Sequence, residues 1–236
     1  MKKPPFLNDH IYHIYNRGVE KRDVFMDDHD YFQFIHDLFE FNDKNPVNKL
    51  QEDNFSIIST EVQPPQIRRK RNNDRELLVE ILAFVLMPNH FHLLLKQKND
   101  DGVVKFMQKI GTGYTMSFNK KYDRVGSLFQ GRFKAVLVER EDHLLFLPNY
   151  IHLNPIKIKR DFSVNKNLIS AVSDLEFLEK YRWSSLPDYL GKKNFPSVIS
   201  KEFLLEIIGN PREYRKELKT WLKKNYDFKA IFDEIV

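Results

Sequence analysis

Two aliphatic segments separated by a short turn constrain the fold of this chain more than any other feature. The segments run from Leu77 to Leu86 and from His90 to Lys96, and Pro88 and Asn89 lie between them. Apolar runs of this length that are bounded by turn residues are typical of β-strands. The sequence therefore predicts two paired strands joined by a tight turn.

The second of these strands begins with two histidines, His90 and His92, on either side of Phe91. Residues two apart in a strand point to the same face, so the two imidazoles lie side by side while Phe91 turns into the core. Two imidazoles on one rigid strand form half of a site for a divalent cation. The alternative is a pair of ordinary polar positions on a sheet face. The position at a strand start, directly after the turn, favours the metal site.

The absence of cysteine limits what a metal site in this chain can be. Among the 236 residues there is no cysteine, which excludes disulfides, thiolate zinc sites and cysteine nucleophiles. A metal must then be held by nitrogen and oxygen ligands. We therefore expect Mg²⁺ or Mn²⁺ as readily as zinc.

Length and hydrophobicity indicate one domain, with room for an appendage. The hydrophobic content is 42%, and the uninterrupted apolar runs are far shorter than a bilayer span. The residues from Met1 to Pro5 carry charge but are not followed by the apolar segment of a secretory signal. We therefore expect a cytoplasmic protein that does not contact a membrane.

The succession of elements predicts an α+β fold. The order is β-α-β-β-α-β followed by one more helix, which is typical of a ferredoxin-like split βαβ arrangement, with an antiparallel sheet and helices on one face. The elements besides the hairpin are a strand at Ile11–Tyr15, a helix from Asp27 or Asp28 to about Phe41, a helix at Gly102–Tyr122, a strand at Phe133–Val138 and a helix at Asp142–Asn154. Pro148 lies inside the last helix and could divide it into two short helices.

Two stretches fall outside this pattern. Residues 42–76 are polar and proline-containing, which indicates an insertion or loop, with Phe55–Ile58 as a short additional strand. Residues 161–236 follow the last core helix. We therefore divide the chain into a domain at 1–160 and a partly helical C-terminal extension at 161–236.

The last core helix carries a second pair of candidate residues. Tyr150 and Asn154 are four apart and so share one helix face. A tyrosine suits attack on a phosphodiester because phenolate is also a good leaving group, so that the covalent intermediate can be resolved by a DNA hydroxyl. The amide oxygen of Asn154 can add to the histidine pair. The alternative is that Tyr150 packs like an ordinary tyrosine.

Basic residues are clustered along the chain, which has a net charge of +5 and a pI near 9.1. Clusters on either side of the candidate site, together with aromatic residues, indicate a groove for a phosphate backbone and unstacked bases. The alternative for each cluster is a solvated turn, which we favour for Arg68–Arg71. The other groups are Lys120–Arg124, Arg132 with Lys134, and Lys157 to Arg160, with Tyr122, Phe129 and Phe133 as the aromatic residues.

The combination of His90-Phe91-His92 with Tyr150-Ile151-His152-Leu153-Asn154-Pro155 resembles the single-tyrosine transposases of the HUH type. Among these the sequence is most similar to the REP-associated tyrosine transposases, domesticated relatives of the insertion-sequence enzymes. The resemblance runs from about Ile11 to Tyr189 and includes three further segments, Tyr12–Gly18, Gly126–Lys134 and Trp183–Ser185.

The resemblance implies a fold and a set of roles. It implies an HUH endonuclease fold, with His90 and His92 as metal ligands and Tyr150 as the nucleophile. Asn154 occupies the place of the third ligand, where the insertion-sequence relatives have a glutamine. Our candidates for contact with the DNA backbone are Arg17, Arg132, Lys134 and Lys157.

The sequence thus predicts a metal-dependent single-stranded DNA nickase and strand transferase that forms a 5′-phosphotyrosine. We expect it to cleave at the foot of a hairpin or palindrome, with Mg²⁺ or Mn²⁺ as cofactor, as a monomer or a homodimer. Two alternatives stay open: a nickase of the replication-initiator or relaxase type, and a nucleic-acid-binding module of the same fold without catalysis.

Overall fold

In a computed structural model of the chain, residues 6–45, 75–162 and 170–223 are described. The predicted basic block at Arg68–Arg71 and the predicted short strand at Phe55–Ile58 lie outside these ranges. The strands are β1 (Ile11–Arg17), β2 (Val79–Met87), β3 (His90–Gln97) and β4 (Lys134–Leu137). The helices are α1 (Asp28–Glu40), α2 (Gly102–Lys121), α3 (Glu141–Leu153), α4 (Ile156–Phe162), α5 (Ala171–Lys180), α6 (Leu186–Tyr189), α7 (Glu202–Ile208) and α8 (Pro211–Lys223).

The four strands form one antiparallel sheet in the order β2-β3-β1-β4. This order is that of a ferredoxin-like split βαβ fold, because β3 returns to pair with β1 and β4 pairs with the other side of β1. The predicted α+β fold class is confirmed. The predicted hairpin is formed by β2 and β3, with Met87 paired to His90 across the Pro88-Asn89 turn.

The helices α1 and α2 cover one face of the sheet. The Phe34 ring of α1 lies 5.1 Å from Phe91 of β3, and Tyr114 of α2 packs edge-on against Phe34. Asp27, one of the two residues at which we expected this helix to begin, caps α1 by accepting a hydrogen bond from the Asp30 amide.

The helix α3 lies on the opposite face of the sheet, after the split βαβ unit is complete. It runs as one element from Glu141 to Leu153 with Pro148 inside it, and Asn154 is its C-cap. Pro155 separates it from α4, which begins at Ile156. This placement brings Tyr150 onto the sheet face that carries the two histidines.

The segment after α5 covers the outer edge of β2. The amide of Leu86 donates to the Trp183 carbonyl, and the amide of Ser185 donates to the Phe84 carbonyl. Trp183 also stacks on Tyr31 of α1 at 4.5 Å. The described residues after 170 therefore share the core of the sheet domain.

Among the helices of the described residues, none combines the length and the apolar character that a membrane span requires.

Candidate active site

The two histidines of the hairpin lie on the same face of β3, as the period-two pattern predicts. Phe91 points to the other face, where it contacts Phe34 and Phe129. The centroids of the His90 and His92 rings are 5.1 Å apart, with perpendicular ring planes. His92 is buried with 5% exposure, whereas His90 is half-buried. His90 is therefore the member of the pair that lies nearer to solvent.

Tyr150 of α3 lies over this pair. Its ring centroid is 5.4 Å from that of His92, in an edge-on arrangement, and 5.8 Å from that of Phe146. The Tyr150 side chain is 5% exposed. The structure thus brings the predicted nucleophile and the predicted ligands to one place, although they come from segments far apart in the sequence.

Asn154 completes the set of predicted ligands. Its amide oxygen is buried and accepts no hydrogen bond from the described residues, while its Nδ2 donates weakly to the Tyr150 carbonyl at 3.4 Å. The Asn154 side chain also favours the protonated form of His90 and so raises the pKa of that ring. A buried acceptor oxygen without a hydrogen-bond donor among the described residues is an arrangement that a cation would satisfy. The donor set of two imidazole nitrogens and one amide oxygen fits a divalent metal.

His13 of β1 is a site residue that the sequence did not single out. Its Nε2 lies 3.0 Å from His92 Nδ1, and its side chain is fully buried. Tyr15 stacks against both of these histidines, at centroid distances of 5.3 and 5.7 Å. The alternation of β1 places His13 and Tyr15 on one face, but only the pairing of Tyr15 with His92 brings that face to the site.

Burial keeps the imidazoles of the site neutral. Burial lowers the pKa of His13 to about 3. Burial, with a smaller effect of the Lys157 and Arg17 charges, lowers the pKa of His90 to about 4. Burial and the neighbouring His13 and His90 hold the pKa of His92 well below its usual range. Neutral imidazole is the form that binds metal, so these rings are ready to act as ligands near neutral pH.

Three of the four predicted DNA-binding cations surround this site. Arg17 is paired with His90 across β1 and β3. The Lys157 ammonium lies 6.0 Å from the Tyr150 ring centroid, and that of Lys134 lies 5.7 Å from the centroid of Tyr15. Arg132 is exposed on the segment before β4.

Two residues of the proposed aromatic groove lie elsewhere. Phe129 is 7% exposed and packs against Phe91 on the helix-covered face, so it belongs to the core. The Tyr122 hydroxyl donates to Asp30 at 2.8 Å, between α1 and α2. Lys121 also contributes to this network rather than to a groove, since its ammonium contacts Asp27 and Asp30 at 2.7 Å.

The ion pairs of Lys121 with Asp27 and Asp30 involve a second group of possible metal ligands. Asp27, His29 and Asp30 have ligand atoms within 4.8 Å of one another. The Lys121 ammonium already donates to both carboxylates. A positive charge at this position opposes cation binding, so the cluster is an ion-pair network that joins α1 to α2.

The match to a protein-family model agrees with the sequence resemblance. Residues 50–154 match the family model described as "Transposase IS200 like". Among solved structures, a REP-associated tyrosine transposase bound to a REP hairpin matches with 12% identity and a TM-score of 0.49, over 85% of this chain and 90% of that one. A likeness at that level carries no functional argument. No curated protein matches the sequence. The segment at 50–154, which contains His90, His92, Tyr150 and Asn154, is therefore similar to the IS200-like transposases, in agreement with the sequence resemblance.

Proposed function

We propose that this protein is a metal-dependent endonuclease and strand transferase for single-stranded DNA, with Tyr150 as its nucleophile. The observation that carries the proposal is the approach of Tyr150 to His92, with ring centroids 5.4 Å apart, across two elements that the fold brings together. The match of residues 50–154 to a transposase family model supports a reaction on DNA.

The reaction would exchange one phosphodiester for another. The Tyr150 hydroxyl oxygen attacks the scissile phosphorus, the bond from phosphorus to the 3′-oxygen breaks, and the proton of the tyrosine is balanced by the proton of the released 3′-hydroxyl. The product is a 5′-phosphotyrosine. Attack by a 3′-hydroxyl reverses the step, so the exchange needs no nucleotide cofactor.

The surrounding residues would support this exchange in different ways. His90, His92 and Asn154 would hold a divalent cation, Mg²⁺ or Mn²⁺, which when bound neutralises charge on a non-bridging phosphate oxygen. The Lys157 ammonium, 6.0 Å from the Tyr150 ring, stabilises negative charge that develops on the phenol oxygen. Packing against Phe146 and His92 places the Tyr150 ring beside the proposed ligands in the free protein.

The DNA would follow the cations around the site. Arg17, Lys134 and Lys157 would contact the phosphate backbone next to Tyr150, and Arg132 would extend this path along the segment before β4. The choice of a hairpin or palindrome as substrate rests on the sequence resemblance to the REP-associated enzymes.

The test is the isolation of a covalent adduct. The protein is incubated with a hairpin-bearing single strand, labelled at its 3′ end, and with Mg²⁺ or Mn²⁺, and the adduct is mapped by peptide mass spectrometry. We expect it on Tyr150, with none in the Tyr150→Phe variant, while Tyr122→Phe serves as the matched control and reacts like the wild type. An adduct on another tyrosine, or none under any of these conditions, would contradict the proposal.

A further inference from the structure

The ring of His90 is oriented by the turn residue that precedes it. The Asn89 Nδ2 donates to the Lys21 carbonyl at 3.1 Å, which fixes the direction of the amide. Its Oδ1 is then turned toward His90 Nδ1, at 2.6 Å. Because an amide oxygen only accepts hydrogen bonds, His90 Nδ1 must carry the proton. The neutral ring therefore has its lone pair on Nε2.

The ring of His92 meets a similar neighbour from a different strand. Its Nδ1 lies 3.0 Å from His13 Nε2, and the two ring planes are only 14° from parallel. A single proton lies between these two nitrogens, and either ring can donate it. Both rings are buried, so the bond is shielded from water.

We propose that His13 and Asn89 are positioning residues that act as matched acceptors, so that both metal-ligand histidines carry their proton on Nδ1 and their lone pair on Nε2. This inference rests on the proposed function, because it assigns a purpose to the two residues only if His90 and His92 bind a cation. His13 would then carry its own proton on Nδ1 and accept from His92 through Nε2.

The physical reason lies in what a ligand must present to a cation. An imidazole that carries its proton on Nε2 would direct a hydrogen at the metal instead of a lone pair. A hydrogen-bond acceptor at Nδ1 removes this tautomer, orients the ring and raises its basicity. His13 lies behind His92 in the buried interior, whereas His90 lies nearer to solvent. This placement suits a supporting role better than direct ligation.

The first test reads the tautomers of the wild-type protein directly. The metal-free protein is labelled with ¹⁵N in its histidine rings, and long-range ¹H–¹⁵N spectra report which nitrogen carries the proton. We expect the Nδ1–H form for His90, His92 and His13. An Nε2–H form of His92 would overturn the inference, and this measurement does not depend on the folding of any variant.

The second test measures the affinity for Mn²⁺ alone from the electron paramagnetic resonance signal of the free ion. His13→Phe keeps a planar ring but removes the acceptor, and we expect it to weaken binding by about 10- to 100-fold. His13→Gln, whose side-chain oxygen can accept, should restore part of this loss. His10→Phe, which replaces an exposed histidine, is the control and should leave the affinity unchanged.

The outcomes separate the two proposals. If the wild-type protein does not bind Mn²⁺, the proposed function fails, and this inference fails with it. If the wild type binds Mn²⁺ and His13→Phe binds it equally well, only the inference is overturned.

Discussion

The Tyr214 hydroxyl lies 2.7 Å from His152 Nδ1, which joins α8 to the helix that carries Tyr150. The other ring nitrogen of His152 lies 2.8 Å from the Ser185 hydroxyl. The His152 side chain is fully buried. Helix α8 and the segment at Ser185 therefore both contact α3 through one residue midway between Tyr150 and Asn154.

Removing the Tyr214 hydroxyl should destabilise the fold. Tyr214→Phe keeps the ring but leaves His152 Nδ1 without this partner in the interior, which should cost about 1–3 kcal/mol of the free energy of unfolding. Urea titration gives the value. Thr220→Val removes an exposed hydroxyl from the same helix and should change stability by less than about 0.5 kcal/mol. Equal midpoints for Tyr214→Phe and the wild type would show that this bond does not hold α8 in place.

Stability should decrease as the pH falls below 6.5. Burial lowers the pKa of His152 from 6.5 to about 3, so the ring stays neutral in the folded chain while the unfolded chain takes up a proton. The stabilising contribution is fully present above pH 6.5 and is lost toward pH 3. Between pH 7.5 and pH 5 the loss is about 2 kcal/mol for this histidine.

The contribution of His152 can be separated from those of the other buried histidines. His152→Gln should unfold with a smaller difference between pH 7.5 and pH 5, by about 2 kcal/mol, even if it is less stable at both. Urea titrations at the two pH values measure this difference. An identical pH dependence in variant and wild type would contradict the assignment.

The ligand residues should separate cleavage from DNA binding. His90→Ala or His92→Ala should abolish nicking of a single strand and leave its affinity largely intact, since that affinity comes from lysine and arginine contacts to phosphates. Asn154→Ala should have a milder effect, because water can replace one neutral ligand. Gel assays of nicking, with fluorescence anisotropy for binding, compare the two. Full nicking in excess chelator would refute the role of a metal.

The cations around the site should be visible in the salt dependence of DNA binding. Lys134→Gln and Lys157→Gln should each reduce the slope of log affinity against log salt by about 0.7 for a single strand. Lys120→Gln, exposed on the helix-covered side of the sheet, is the control and should keep the wild-type slope. The same loss in the control as at Lys134 would place the DNA path elsewhere.

Much of the fold was predictable because its signals are local. Strand β3 and helix α1 begin and end within a few residues of their predicted bounds, since a Pro-Asn turn and an aspartate cap mark them. The path of the chain after α5 was not predictable. Part of its contact with the edge of β2 consists of backbone hydrogen bonds, such as that from Leu86 to Trp183, which any sequence can form.

The site was predictable only where residues carry a spacing pattern. His90 with His92, and Tyr150 with Asn154, follow the periods of a strand and a helix. His13 comes from another strand and reaches His92 through sheet pairing, so no spacing pattern in the sequence indicates that it lies at the site. Phe129 was misplaced because an aromatic residue beside arginines has the same sequence pattern in a groove as in a core.

The central position of β3 has a consequence for how a DNA strand could enter. This strand is hydrogen-bonded to β2 on one side and to β1 on the other, so we expect its amides to be among the last to exchange in deuterium. Tyr150 is 5% exposed, and its helix α3 contacts the sheet face that carries His92 through side chains. A fluctuation that lifts α3 should therefore need less free energy than one that displaces His90 or His92. Entry of a DNA strand would then move Tyr150 and leave the proposed metal ligands in register.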